Sequence, residues 1–218
     1  SGGFTWHRGD EDVIGLRGTL YARFNDQGEL VYVREASEPL FKPGELTEKL
    51  LKAATANIEK EEKVPSYTPA TPTTASGIVE YLWKEAYPKG AGPEVALDFF
   101  DENVVYEDFN YPKAIVGKAE LTAFLEAFDI PGIEFIPLEI SSSNEDDQAC
   151  VFTWEVKVNG AQGPQGLSFY QLSSSTSRGG GTSSGKIVYV RDIPASTPAP
   201  LQQLAAMLNP ELRVFSSG

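Results

Sequence analysis

Two aspartates stand where proton chemistry would need them. Asp108 closes the run Asn103-Val104-Val105-Tyr106-Glu107-Asp108, one alternation beyond Tyr106, and Asp192 closes Ile187-Val188-Tyr189-Val190-Arg191-Asp192 beside Arg191. A carboxylate in an apolar setting can serve as a general base, with Tyr106 or Tyr170 as an electrophilic hydrogen-bond donor. The plain alternative makes Asp192 and Arg191 strand-end charges that orient the turn or pair at the surface. The sole histidine, His7, lies beside Arg8 and Asp10, outside any His-Asp arrangement in the body of the chain, and reads as solvated. Cys150 is the only cysteine. It has no lysine, histidine or second thiol near it, so it reads as a small packed residue, without disulfide or metal cluster. Glu145-Asp146-Asp147 lacks calcium-loop spacing and reads as a turn. Gly179-Gly180-Gly181 lacks the lysine and following helix of a phosphate cradle. No metal and no cofactor is expected.

A second candidate is an aromatic-lined face. Alternation puts Phe152, Trp154, Val156 and Val158 on one side of a strand, and Val151, Thr153, Glu155 and Lys157 on the other. Joined by Trp83, Tyr87, Phe99, Tyr106 and Tyr170, the first set can line a pocket for a small apolar or aromatic ligand, or can simply be core.

These residues need elements to hold them. Ile78, Val79, Leu82, Trp83 and Ala86 recur at helical spacing, with Thr74 or Ser76 available as N-cap. Pro93 opens a short helix with Val95, Ala96, Phe99 and Phe100, and Leu121, Phe124, Leu125 and Phe128 form a third that starts after Gly117 and stops before Pro131. The period then becomes two, over Ile133 to Ile140, Ala149 to Val158, Leu167 to Leu172 and Ile187 to Ile193. A last helix carries Leu201, Leu204, Ala205 and Leu208. Helices followed by a strand meander predict an α+β domain with an antiparallel sheet curled round helices.

The 218 residues carry 18 Lys and Arg against 31 Asp and Glu, a net charge of −13. Between Glu94 and Asp147 lie fourteen of the acidic residues and two of the basic ones, so the rest of the chain is close to neutral. Nucleic-acid binding is excluded because it needs a basic face, whereas a basic protein partner suits the acidic segment. No stretch approaches a membrane span of about 20 apolar residues. With 41% hydrophobic residues the chain can fill a core.

A repeat is visible. Gly28-Glu29-Leu30-Val31-Tyr32-Val33-Arg34-Glu35 matches Gly185-Lys186-Ile187-Val188-Tyr189-Val190-Arg191-Asp192, and Gly18 to Phe24 parallels Gly166 to Leu172. Each copy is a hairpin that passes through prolines into a leucine-bearing helix, the first through Leu46, Leu50 and Ala53. The first copy turns at Asn25-Asp26-Gln27-Gly28; the second carries the loop Ser173 to Ser184. A lone hairpin is marginal in water, so Leu20, Tyr21, Val31 and Val33 must pack on the chain's own sheet, on a partner or on a second copy. Thr55 to Ala75, with three prolines, reads as a linker.

The run Phe99 to Asp108, then Val116-Gly117-Lys118-Ala119-Glu120-Leu121, then Gly166-Leu167-Ser168-Phe169-Tyr170 and Gly185 to Asp192, resembles the nuclear transport factor two-like superfamily with its SnoaL-like members. It is most similar to plastid members of plants and algae. The resemblance implies a cone: a strongly curved sheet wrapped round three helices, with an apolar pocket at its open end. Residues 76–210 are then the complete domain, 1–55 a partial copy, 56–75 the linker and 211–218 a tail. The superfamily holds isomerases and dehydratases as well as binding and dimerisation modules, so the fold leaves activity open. The favoured expectation is a non-enzymatic accessory or scaffolding component of a plastid assembly, a photosynthetic complex being one such case. The rivals are an isomerase, dehydratase or cyclase using Asp108 or Asp192, and a carrier of a pigment or lipid-like ligand.

Overall fold

A computed structural model describes residues 1–9, 15–58, 64–128, 130–141, 148–173 and 185–194. The expected helix at Leu201 to Leu208, the cluster Glu145-Asp146-Asp147 and most of the Ser173 to Ser184 loop lie outside the described residues.

The helices come near the expected places, except that the one opened by Pro93 stops at Leu97, so that Phe99 lies in the turn and Phe100 opens a strand. Thr74 caps α2 (Ala75–Glu80), its side chain accepting from the Gly77 N–H at 3.1 Å. The helical path then widens to a π turn over Tyr81–Ala86 and tightens to a 3-10 turn over Tyr87–Lys89. Pro93 sits in the first turn of α3 (Pro93–Leu97). Gly117, at φ 91°, supplies the left-handed bend before α4 (Lys118–Ala127). An earlier helix, α1 (Gly44–Ala54), carries Leu46, Leu50 and Ala53.

The main sheet has the order β5-β4-β9-β8-β7-β6, with β4 Phe100–Asp108, β5 Ile115–Val116, β6 Ile133–Ile140, β7 Ala149–Val158, β8 Ala161–Leu172 and β9 Ile187–Pro194. Asn159 and Gly160, both at positive φ, make the tight turn between β7 and β8. All pairs are antiparallel except β4 with β9, which run in parallel. The expectation of a wholly antiparallel sheet is corrected there. β6 to β9 form a meander, whereas β4 comes in from the helices and joins at its last edge.

The sheet has two covered faces. The inner one holds the helices over Val104, Tyr106, Phe152, Trp154, Tyr170 and Val190. The outer one holds Phe109, Val151, Leu167, Phe169 and Ile193, which pack against Tyr21 and Ala36 from a second sheet. That sheet has the order β1-β2-β3: β1 Gly2–His7, β2 Arg17–Phe24 and β3 Leu30–Ser37. A hairpin was expected and three strands are found; β1 opens on two glycines and is too short for a readable period. Tyr21 is buried and Leu20 half-buried, so β2 is sequestered on the chain's own sheet, while Val31 and Val33 of β3 are exposed.

Candidate functional site

The parallel pairing of β4 and β9 decides where the two aspartates go. Both strands finish at the same edge, and Asp108 is paired in register with Asp192, one residue beyond the rung of Glu107 with Arg191. On the inner face Tyr106 donates its hydroxyl to Asp192 Oδ2, and Ser168 of β8 donates to Oδ1. Trp154 of β7 backs this up, its Nε1–H donating to Ser168 Oγ at 2.9 Å. Asp108 accepts from the Asn110 N–H at 2.8 Å.

Asp192 lies beside the Tyr106 and Tyr170 rings, while Asp108 also borders Lys42, and the electrostatics follow. Burial pushes the Asp192 carboxyl up to about 6, against the hydrogen bonds from Ser168 and Tyr106, which favour its ionised form. Burial, and then the neighbouring Asp192 charge, push Asp108 up to about 7. Tyr106 and Tyr170 are held well above the usual phenol range, first by burial and then by Asp192. The reading of Asp192 as a surface strand-end charge is therefore corrected: Asp108 and Asp192 are half-buried neighbours, and burial raises both carboxyls. Such a pair can accept or release a proton beside a tyrosine hydroxyl.

The aromatic candidates also meet, and they fill the interior. Trp83 lies 4.8 Å from Tyr87 and 4.8 Å from Phe135, which lies 4.6 Å from Trp154. Phe152 meets Tyr170 edge-on at 5.3 Å, and Phe99 meets Tyr81 at 5.8 Å. Tyr106 reaches Phe124 at 6.0 Å, which contacts Tyr111 at 5.4 Å. The far side of Trp154 is closed by Gly166, where a Cβ would lie 2.2 Å from the indole. Trp83, Tyr87, Phe99, Tyr106, Phe152, Trp154 and Tyr170 thus belong to one packed core on the inner face, and of these Tyr106 bonds Asp192 directly and Trp154 reaches it through Ser168. His7 is exposed at the end of β1, and Cys150 is buried.

Composition and spacing gave no signal for a second polar group, on the outer face. Glu107 binds Arg191 Nε at 3.0 Å and Arg17 Nη1 at 2.6 Å, and accepts from the Tyr189 hydroxyl. Arg17 also pairs with Glu38 at 2.8 Å, and Arg191 Nη1 donates to the Gly18 carbonyl at 3.2 Å. Both guanidinium groups and Lys42 stand over the Phe109 ring, at 4.7, 5.3 and 5.1 Å. A cleft of about 20 Å³, room for about one water, opens between Arg17, Lys42, Asp108, Tyr111 and Lys113. Pairs such as Arg17 with Glu107, ninety positions apart, become visible only once the sheets are stacked.

No protein-family model and no curated protein matches the chain. Among solved structures it is similar to a SnoaL-like family protein from Agrobacterium tumefaciens, at 18% identity over 46% of this chain and 78% of that one, with a TM-score of 0.36. It is similar to nuclear transport factor 2 from Cryptosporidium parvum, at 10% identity over 60% and 99%, TM-score 0.43. It is also similar to OCP1 of Fremyella diplosiphon, at 15% identity over 66% and 45%, TM-score 0.42. Likeness at these levels assigns no activity, ligand or partner.

Proposed function

We propose that the chain works by binding a protein partner, as an accessory or scaffolding component, through the uncovered edge of its N-terminal sheet. One observation carries this reading. β3 is the last strand of its sheet, and Leu30, Val31, Tyr32 and Val33 are exposed in succession along it. Natural edge strands are usually blunted by charge, proline, a bulge or a covering element; Leu30 to Val33 carries no charge or proline, its one irregularity is the unpaired Val31, and no strand pairs with its far edge among the described residues. Residues 1–55 act in this reading as part of a second copy of the domain, joined through 56–75. The plastid setting of the assembly is carried by the sequence resemblance alone.

The test is the native mass of the complex recovered from an extract of the cells that make the protein. The wild-type chain is expected in a particle larger than one copy, and Val31→Lys with Val33→Lys is expected to run alone while keeping its fold by circular dichroism. A wild-type chain that runs alone throughout overturns the reading.

The carboxylate pair supports a second reading, proton transfer on a small apolar carbonyl compound. Asp108 or Asp192 would take the proton and Tyr106 would donate to the carbonyl oxygen. It is tested by following deuterium exchange from solvent into a panel of cyclic ketones. Exchange lost in Asp192→Asn supports it, and background exchange with the wild-type chain removes it.

A further inference from the structure

The two three-stranded runs, β1-β2-β3 and β7-β8-β9, are built on one register. Phe4-Thr5-Trp6 stands in β1 where Phe152-Thr153-Trp154 stands in β7. Phe4 pairs with Leu20 and Trp6 with Gly18; Phe152 pairs with Ser168 and Trp154 with Gly166. Each glycine sits under its indole, where a Cβ would come within 2.4 Å of Trp6 or 2.2 Å of Trp154. The next pairing corresponds as well. Tyr21 pairs with Arg34 as Phe169 pairs with Arg191, and Ala22 with Val33 as Tyr170 with Val190. Both ladders skip one residue near the turn, Val31 in one and Val188 in the other. Residue for residue, β3 corresponds to β9.

The two strands differ in what lies beyond them. The far edge of β9 carries β4 in parallel, with Val105 against Tyr189, Tyr106 against Val190 and Glu107 against Arg191. The far edge of β3 carries no strand among the described residues. Val190 is accordingly 0% exposed and its counterpart Val33 46%. Arg191 is buried and bound to Glu107 at 3.0 Å, whereas its counterpart Arg34 meets the neutral Gln165 Oε1 at 3.2 Å. No carboxylate lies within ion-pair distance of Arg34 among the described residues.

We infer that the open edge of β3 takes a strand of a partner protein, running parallel to β3 and presenting a carboxylate to Arg34, as β4 presents Glu107 to Arg191. This rests on the binding reading above and names the partner's chemistry. The backbone edge supplies the ladder bonds, Tyr32 and Val33 supply apolar contact, and the guanidinium selects a charged oxygen over an amide. The sign of the partner is set at β3 itself, apart from the acidic middle of the chain. A second copy fits less well. Antiparallel self-pairing centred on Tyr32 would set Glu29 opposite Glu35, like charge against like.

The probe is a labelled peptide with the chain's own β4 sequence, Phe100 to Asp108, added to the full chain and followed by fluorescence anisotropy and amide hydrogen exchange. The expected result is saturable binding with new protection confined to Leu30 to Arg34. Arg34→Gln should weaken it about tenfold, and the same loss should follow when the peptide's glutamate in the Glu107 position becomes glutamine. Made together, the two changes should cost little more than either alone. A peptide that does not bind, or that binds equally to Arg34→Gln and to Val33→Lys, overturns the inference. So does a chain whose mass doubles with concentration and returns to one copy in Val33→Lys, because the occupant is then a second copy. If the peptide fails while Val31→Lys with Val33→Lys still releases the native complex, the edge reading stands and the acidic parallel strand is wrong.

Discussion

Glu107 and Asp108 are neighbours in the chain and opposites in behaviour. Alternation sends Glu107 to the outer face, where burial would push its pKa up but the Tyr189 hydroxyl, Arg191 and Arg17 hold it below the usual carboxylate value. It sends Asp108 to the inner face, where burial and the Asp192 charge act together and push it up. The charge on a buried carboxylate therefore depends on which face its strand presents. On the outer face paired ions add to the apolar contacts between the two sheets, whereas on the inner face burial and like charge keep a carboxyl proton bound to higher pH.

The sharpest break in that contrast is Arg191→Met. It would leave Glu107 with one fewer cation and the Gly18 carbonyl without its donor. Removing one member of a buried ion network costs about 3–5 kcal/mol. Urea unfolding is expected to show a loss of that size, with amides of β2 exchanging first; a loss under 1 kcal/mol would mean that ions do not hold the two sheets together. Gly166→Ala comes next. Its Cβ would lie 2.2 Å from the Trp154 indole and 2.5 Å from the Ile193 carbonyl, and overpacking of this kind costs about 1–3 kcal/mol. Urea unfolding checks it, and an unchanged midpoint would mean that the indole gives way without cost.

Asp108→Asn acts in the opposite direction and depends on pH. The folded carboxyl keeps its proton to about 7 against 3.8 for an ordinary aspartate. Below about pH 4 both folded and unfolded forms are protonated and nothing is lost. As pH rises from about 4 to about 7 the unfolded chain releases the proton first, and the native protein loses stability. The asparagine variant is thus expected to match wild type at pH 4 and to exceed it by about 2 kcal/mol at pH 8, allowing for partial exposure. Equal stability at pH 8 would show that Asp108 ionises freely. The smallest effect is expected from Glu38→Gln. The hydrogen bond from Arg17, opposed by burial and aided by Lys42, lowers Glu38 from 4.5 to about 2. Its contribution is present above about 4.5 and lost as pH falls toward 2, so wild type should exceed the variant by about 1 kcal/mol at pH 7 and match it near pH 2.

Much of this was legible in the residues, and the remainder depended on long-range pairing. The alternation of Phe152, Trp154, Val156 and Val158 placed all four on the inner face because a strand has only two sides. The helices at Ala75 and Lys118 were legible from Thr74 and Gly117. Asp108 and Asp192 could be named singly, but their meeting needed the parallel β4 and β9 pair, which no local period encodes. The Phe-Thr-Trp recurrence at residues 4 and 152, twelve residues before Gly18 and Gly166 for its tryptophan, was in the sequence and would have revealed β1. The outer ion network was invisible because Arg17, Glu38, Glu107 and Arg191 share no segment.

The relay from Trp154 through Ser168 to Asp192 has an optical consequence. The chain has three tryptophans, and among the described residues this indole is tied through one hydroxyl to a carboxyl that burial pushes up to about 6. Protonation of Asp192 turns an acceptor of the Ser168 hydroxyl into a potential donor, and the field along the Trp154 Nε1–H bond changes with it. A pH titration of tryptophan emission, compared with Trp154→Phe to subtract the other two indoles, is therefore a label-free report on the inner carboxylates.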